Sequence, residues 1–158
     1  MKKRVLVSLL IGSIISITSI ALADESLPKH SPPLSEILKN LQEKGYKNIY
    51  KIEMNEGSYQ VDAVSLFGTE TDMRVNPYNG EILESHLGIT HKWSKVHFFG
   101  LSALQAAQNV EAMGYHSIYK IEAKDDKYQV KALNENGHAT VLEVNTKNGE
   151  VKKEWFWK

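Results

Sequence analysis

The chain has 158 residues, with 19 basic and 19 acidic side chains, six histidines and no cysteine. This balance excludes a strongly basic nucleic-acid binder, because neutralising a phosphate backbone requires a clear excess of Lys and Arg. The lack of cysteine excludes a disulfide framework and thiolate ligands for a metal.

The N-terminal segment, residues 1–23, has the pattern of a secretory signal peptide. Basic residues at positions 2–4 precede an apolar stretch over residues 5–20, and Ala21-Leu22-Ala23 forms a cleavage signal. The apolar stretch is short for a spanning helix, and we find no later candidate in the sequence. We therefore predict that residues 1–23 are removed and that the protein is periplasmic or secreted. Residues 24–32, which are rich in proline, predict a flexible leader.

A long segment recurs after a shift of 69 positions without a gap. Residues 45–53 read Gly-Tyr-Lys-Asn-Ile-Tyr-Lys-Ile-Glu, and residues 114–122 read Gly-Tyr-His-Ser-Ile-Tyr-Lys-Ile-Glu. The same shift carries Asn79-Gly80-Glu81 onto Asn148-Gly149-Glu150. Self-similarity of this kind predicts two copies of one supersecondary unit.

Each copy, residues 33–86 and residues 101–158, begins with the pattern of an amphipathic helix. Apolar side chains recur at i, i+3, i+4 and i+7. They are Leu34, Ile37, Leu38 and Leu41 in the first copy, and Ala103, Ala106, Ala107 and Val110 in the second. Ser102 predicts an N-cap, while Gly45 and Gly114 predict the helix ends.

After each helix the apolar period changes to two, which predicts strands. This alternation places Tyr50 in the core, and Ile49 and Ile118 on the opposite, charged face. The Asn-Gly pairs at positions 79–80 and 148–149 predict type I′ hairpins. The predicted fold class is α+β: two tandem repeats, each one helix packed on a four-stranded antiparallel meander.

The order of these elements resembles the PepSY domain. The resemblance rests on the amphipathic helix, the Gly-bounded hairpin, and an Asn-x-x-Asn-Gly-Glu-hydrophobic turn at residues 76–82 and again at 145–151. PepSY domains occur in the propeptides of secreted thermolysin-like metallopeptidases and in small exported bacterial proteins. The resemblance implies a non-enzymatic module that binds or restrains peptidases, or that acts locally in the cell envelope. Since no HExxH motif of a zinc peptidase is present, we expect any inhibition to act in trans.

Some aromatic side chains do not recur between the copies, and these are the predicted partner-binding residues. They are Trp93, Phe98, Phe99, Trp155, Phe156 and Trp157. The first three belong to residues 87–100, an aromatic and His-rich junction that we expect to pack between the copies. These side chains either cover an edge or a seam of the fold, or anchor a protein partner.

The alternative functional hypothesis is a metal or small-ligand site in the junction, held by His86, His91 and His97. Imidazole suits several transition metals. The spacings of five and six residues, however, match neither an i, i+4 helical pair nor a compact zinc pattern. Surface histidines are the competing interpretation, and we predict no cofactor.

Repeated charges also have two interpretations. Lys51 and Glu53 recur as Lys120 and Glu122, on strand positions where alternation predicts a polar face. They form either ordinary cross-strand charge pairs or a shared recognition surface.

No pattern of a catalytic nucleophile is present, since the chain has neither cysteine nor a G-x-S-x-G elbow. We predict that the protein is not an enzyme. The leading hypothesis is an exported PepSY-type module that binds a protein, an envelope or secreted peptidase, through a sheet face or an edge strand. It predicts no nucleic-acid partner and no membrane span after signal cleavage. A third hypothesis is a self-associating structural protein.

Overall fold

A computed structural model describes residues 31–64, 68–88 and 100–154. The helices are α1 (Leu34–Glu43) and α2 (Ala103–Ala112). The strands are β1 (Asn48–Asn55), β2 (Ser58–Val64), β3 (Glu70–Val75), β4 (Ile82–Leu87), β5 (His116–Lys124), β6 (Lys127–Leu133), β7 (Ala139–Asn145) and β8 (Val151–Lys153). They form one antiparallel sheet in the order β4-β3-β2-β1-β5-β6-β7-β8. The predicted α+β class is confirmed, and the sheet runs without a break through both copies.

Both helices form with the apolar faces that the sequence predicted. The eight side chains predicted to face the core are all buried. At the start of α2, the Ser102 hydroxyl accepts a hydrogen bond from the Gln105 amide, and the Gln105 side chain accepts one from the Ser102 amide. This capping box confirms the predicted N-cap. Gly45 and Gly114 follow the helix ends with φ of 101° and 87°, a conformation that glycine adopts without strain.

One hydrophobic core contains residues of both copies. Helices α1 and α2 contact each other and lie over the same face of the sheet. The largest fully buried side chains of the sheet are Ile52, Met54, Tyr59, Val61, Val75, Ile118, Ile121 and Leu142. Because this core is shared, each copy adds to the apolar area that the other one buries.

The two copies join where β1 pairs with β5. Ile52 lies opposite Ile121, which is its own counterpart after the 69-residue shift. Lys51 therefore faces Glu122, and Glu53 faces Lys120. A pseudo-twofold axis passes through this pair of isoleucines, and we call the β1–β5 pairing the seam. The described residues join the copies by main-chain pairing; the junction residues 89–99 lie outside the described ranges.

Side-chain hydrogen bonds also connect the copies, and one of them runs from Lys120 Nζ to Glu53 Oε1 at 3.1 Å. The Tyr59 hydroxyl, in β2, donates to the carbonyl of Ile118, in β5, at 3.0 Å. The amide of Ser35, in the first turn of α1, donates to Oε1 of Glu111, in α2, at 3.1 Å. Since Pro33 occupies the N-cap position of α1 and supplies no side-chain cap, α2 provides the acceptor that α1 lacks.

Irregularities in β1 and β5 overturn part of the predicted strand pattern. The register of β1 against β2 shifts between Ile49 and Lys51, and Tyr50 is the extra residue. Ile49 therefore belongs to the core, whereas Tyr50 shares the position opposite Asp62 on the other face. A larger shift in β5, with two extra residues between His116 and Lys120, accompanies burial of Ile118. The predictions for Ile49 and Ile118 were wrong because simple alternation cannot detect an inserted residue. Tyr50 is buried, as predicted, but does not belong to the core cluster.

Neither Asn-Gly turn is the type I′ hairpin that the sequence predicted. A type I′ turn needs positive φ at both central residues, but in these two loops only the glycines have it, at 68° for Gly80 and 74° for Gly149. The Gly80 amide instead donates to the carbonyl of Asn76 at 2.9 Å. Positive φ at both positions occurs at Glu56 and Gly57, between β1 and β2.

Both Asn-Gly turns dock onto the helix of their own copy. The Asn109 side-chain amide, in α2, donates to the carbonyl of Gly149 at 3.0 Å. In the first copy, Lys44 Nζ donates to the carbonyl of Gly80 at 3.2 Å. A Cβ on Gly149 would lie 2.6 Å from Asn109 Nδ2, so only glycine permits this approach without displacing the asparagine.

This contact predicts unequal effects of two similar substitutions. Gly149→Ala and Gly137→Ala both place alanine at a φ of about 75°, and each should destabilise the fold by about 1–2 kcal/mol. At Gly149 the new methyl group also displaces Asn109, with a further loss of about 1 kcal/mol for its hydrogen bond. Nothing lies within 4 Å of a Cβ on Gly137, so that variant is the matched control. Urea unfolding measures the difference, and equal losses would contradict the docking role.

The seam predicts a specific pH dependence of stability. Partial burial raises the pKa of Glu53, but hydrogen bonds from Lys120 and Lys51 outweigh burial and hold that pKa below its ordinary value. A carboxyl with a lowered folded-state pKa stabilises the fold above its unfolded pKa and loses this effect as the pH falls through the folded value. Glu53→Gln should therefore lower the unfolding free energy by a few tenths to about 1 kcal/mol at neutral pH. The loss should shrink in acid.

The control for this pH series is Glu135→Gln, in the exposed β6–β7 loop. It should change stability little at any pH. Urea unfolding at a series of pH values tests both variants, and a Glu53→Gln effect that stays constant into acid would refute the ion-pair explanation.

Candidate functional site

The candidate site is the face of the sheet opposite the two helices, which we call the open face. Strand alternation and the observed registers place one row of side chains from each strand on it. From the first copy these are Tyr50, Lys51, Glu53, Gln60, Asp62, Glu70, Asp72, Arg74, Glu84 and His86. From the second copy they are Lys120, Glu122, Lys124, Lys127, Gln129, Lys131, Val141, Glu143 and Lys152. No described helix packs against these side chains.

The two halves of the open face carry opposite charge. Acidic side chains outnumber basic ones in the half from the first copy, whereas lysines predominate in the half from the second. The 69-residue shift carries Asp62 onto Lys131 and Asp72 onto Val141, so the difference arises at matching positions. Because the seam joins the halves edge to edge, both signs of charge lie on one continuous surface.

The acidic half contains an unfavourable arrangement. Asp62 and Asp72 lie directly opposite each other on β2 and β3, and like charges in this position are destabilising. Tyr50 is only 8% exposed beside them. Burial raises the pKa of the Tyr50 hydroxyl, and the charges of Asp62, Glu70 and Asp72 raise it further. Local conflicts of this kind are expected at functional surfaces, where recognition opposes stability.

The acidic side chains of the basic half are held by lysines. Glu122 Oε1 lies 2.9 Å from Lys124 Nζ, and Glu143 forms an ion pair with Lys127. Burial alone would raise the pKa of Glu122, but the bond from Lys124 and the charge of Lys120 lower it overall. The carboxylates of this half are therefore neutralised within the protein, which leaves the surface basic.

The structure places few of the residues that the sequence singled out for binding. All six predicted aromatic anchors lie outside the described residues, and so do His91 and His97. His86 is on β4, exposed on the open face and opposite Asp72. Within the described ranges, no group of three or more His, Asp or Glu side chains could hold a metal ion. The aromatic and metal hypotheses therefore remain predictions.

Sequence reasoning missed the polarity of the open face, although a signal for it exists. Comparison of the copies at polar strand positions shows the replacement of Asp62 by Lys131 directly. The sequence did not predict the pairing of β1 with β5 at the seam, which joins the polar faces of the two copies into one surface.

Comparison with known protein families identifies the family to which this chain belongs. The family model described as "Peptidase propeptide and YPEB domain" matches residues 5–86 and 99–155. The chain belongs to this PepSY family. Two matched regions fit a tandem PepSY protein, so the resemblance inferred from the turns and the helices is confirmed.

Two solved structures are similar to this PepSY protein. The putative lipoprotein CD1622 of Clostridium difficile 630 is 14% identical, with a TM-score of 0.42, over 82% of this chain and 99% of that one. The YpmB protein of Bacillus subtilis is 17% identical, with a TM-score of 0.31, over 76% and 93% of the two chains. A search of curated proteins finds no match.

The opposed aspartates predict a variant of the PepSY protein that is more stable than the wild type. Asp72→Asn removes the repulsion from Asp62 and should raise the unfolding free energy by roughly 0.2–1 kcal/mol at neutral pH. The gain should shrink at high ionic strength, because salt screens the repulsion between the two carboxylates. Asp72→Glu keeps the charge and is the control. Urea unfolding at low and at high salt checks this, and an equal gain at both would mean that repulsion is not the cause.

Proposed function

We propose that this PepSY protein is an exported, non-catalytic binding module that restrains or regulates a peptidase in the cell envelope or outside the cell. The observation that carries the proposal is the family match over both copies, because the family description names peptidase propeptides. A module of this type acts by contact with its partner, so it needs a complementary surface rather than a reaction centre.

The open face supplies such a surface in this proposal. The two helices lie over one face of a single eight-stranded sheet, and the other face presents an acidic half beside a basic half. A partner with the opposite order of charges would be attracted in only one orientation, because reversing it would bring like charges together. The aromatic side chains of the junction and tail, from Trp93 to Trp157, are proposed to add apolar anchors to the contact.

Export is part of the same proposal. Residues 1–23 carry the pattern of a secretory signal, and cleavage after Ala23 would release the rest of the chain. Neither helix in the described parts of the chain has the length and apolar character needed to span a bilayer. The proposed location is therefore the periplasm or the medium, where secreted peptidases act.

Placing residues of the second copy at the matching positions of the first tests whether the open face contacts the partner. The double variant Asp62→Lys, Asp72→Val gives the first copy the residues that the second copy carries at those positions. The scaffold already accommodates these side chains in β6 and β7, so the variant should fold. We expect the wild type to inhibit a purified secreted peptidase of the same cells, and the variant to bind that peptidase about tenfold more weakly or worse.

A matched control makes the same charge change elsewhere. Glu43→Lys with Glu135→Val alters two exposed positions outside the open face and should leave inhibition unchanged. Thermal unfolding verifies that each variant is folded. If no secreted peptidase is inhibited or bound by the wild type, the peptidase role is refuted. If the exchange variant binds as well as the wild type, the open face is not the contact surface.

A further inference from the structure

The two edges of the sheet are not equally protected. Strand β8 has three residues, two of them lysines, and short lysine-rich edges resist pairing with other chains. Strand β4 has six residues, and every one after Ile82 is exposed. Leu83 is 48% and Leu87 is 75% exposed on this edge. Strand β4 therefore has the length and the apolar side chains of an edge that accepts another strand.

The main-chain geometry determines which groups of β4 are available. The amide of Gly88, just after β4, donates to the carbonyl of Glu70, in β3, at 2.9 Å. Main-chain groups alternate in direction along an antiparallel strand, so His86 and Glu84 also direct theirs toward β3. Ser85 and Leu87 direct their amides and carbonyls away from the sheet, where an added strand could bond to them.

We infer that β4 pairs antiparallel with β4 of a second copy of this chain, with Ser85 on the twofold axis. In this register the outward amide and carbonyl of Ser85 bond to those of the other Ser85. Glu84 of each copy then lies opposite His86 of the other. These are non-hydrogen-bonded positions, where the side chains approach most closely.

Other registers are less favourable. A shift of one residue would set outward main-chain groups against inward ones, which prevents bonding. An axis at Glu84 would place two glutamates opposite each other, and an axis at His86 would oppose two histidines. Only the axis at Ser85 brings an acid opposite a base on both sides.

The chain already uses this arrangement inside its own sheet. At the seam, Ile52 and Ile121 occupy the pseudo-axis, with Lys opposite Glu on both sides. In β4 the segment Glu84-Ser85-His86 is self-complementary in the same way as Lys51-Ile52-Glu53. We therefore take the strand that pairs with β4 to be β4 of a second copy. A strand of an unrelated protein would match the charge order of Glu84-Ser85-His86 only by coincidence.

Sedimentation equilibrium of the protein tests the inference. We expect a monomer–dimer equilibrium. Ser85→Pro removes an amide that points away from β3, so the fold should persist, as edge strands tolerate proline. The dimer dissociation constant should rise about tenfold or more, because the hydrogen bond that each Ser85 amide donates to the other copy is lost, and the dimer contains two such bonds. Ser85→Ala retains the amide and is the matched control.

Charge exchange provides a second test that does not depend on proline. Glu84→Lys and His86→Glu should each weaken the homodimer, because each places like charges across the axis. A mixture of the two variants should form a heterodimer, since the introduced lysine and the introduced glutamate then face each other. The native Glu84 and His86 remain paired on the other side of that heterodimer.

Two results would overturn the inference. One is a wild-type protein that stays monomeric up to high micromolar concentration, which would leave the edge to a strand of a different protein. The other is a mixture of the charge variants that forms no heterodimer. The exchange variant of the open face keeps β4 intact and should still dimerise, so failure of the peptidase proposal leaves this test unaffected.

Discussion

The pairing of β1 with β5 around Ile52 and Ile121 is the constraint on which the rest of the structure depends. It unites the strands of both copies in one sheet and sets their open faces on the same side. It also brings α1 and α2 into contact, so that Glu111 can accept the hydrogen bond from Ser35. A slip of one residue at this seam would turn the apolar side chains of one strand toward water. The charged residues beside the isoleucines oppose such a slip, since they pair correctly in only one register.

The two copies are alike where they build the scaffold and different where they face water. Core positions, helix ends and the turn around Gly80 and Gly149 recur because each has a fixed geometric task. Asp62 and Asp72 do not recur, and they lie opposite each other, where like charges are destabilising. Surfaces selected for recognition commonly retain such conflicts, since the gain lies in a complex rather than in the isolated protein.

Much of the fold could be predicted from the sequence because its signals are local. The helix faces, the cap at Ser102 and the stops at Gly45 and Gly114 each depend on residues a few positions apart. The bulge at Tyr50 could not be read from alternation, since the inserted residue appears only in the pairing with β2. The seam was missed for a related reason: it pairs strands from different copies, and no sequence period encodes that contact. Without the seam, the polarity of the open face also remained hidden.

The symmetry of the seam has a consequence for the origin of the chain. Two identical proteins would adopt this same register around a true twofold axis, with each Lys-Ile-Glu segment facing its equal. A single-copy ancestor could therefore have held all of these strand contacts as a symmetric dimer. Duplication and fusion of its gene would add a tether and let each half diverge independently. Opposite charges on the two halves are a difference that a fused pair can acquire and a symmetric homodimer cannot, because the halves of a homodimer have the same sequence.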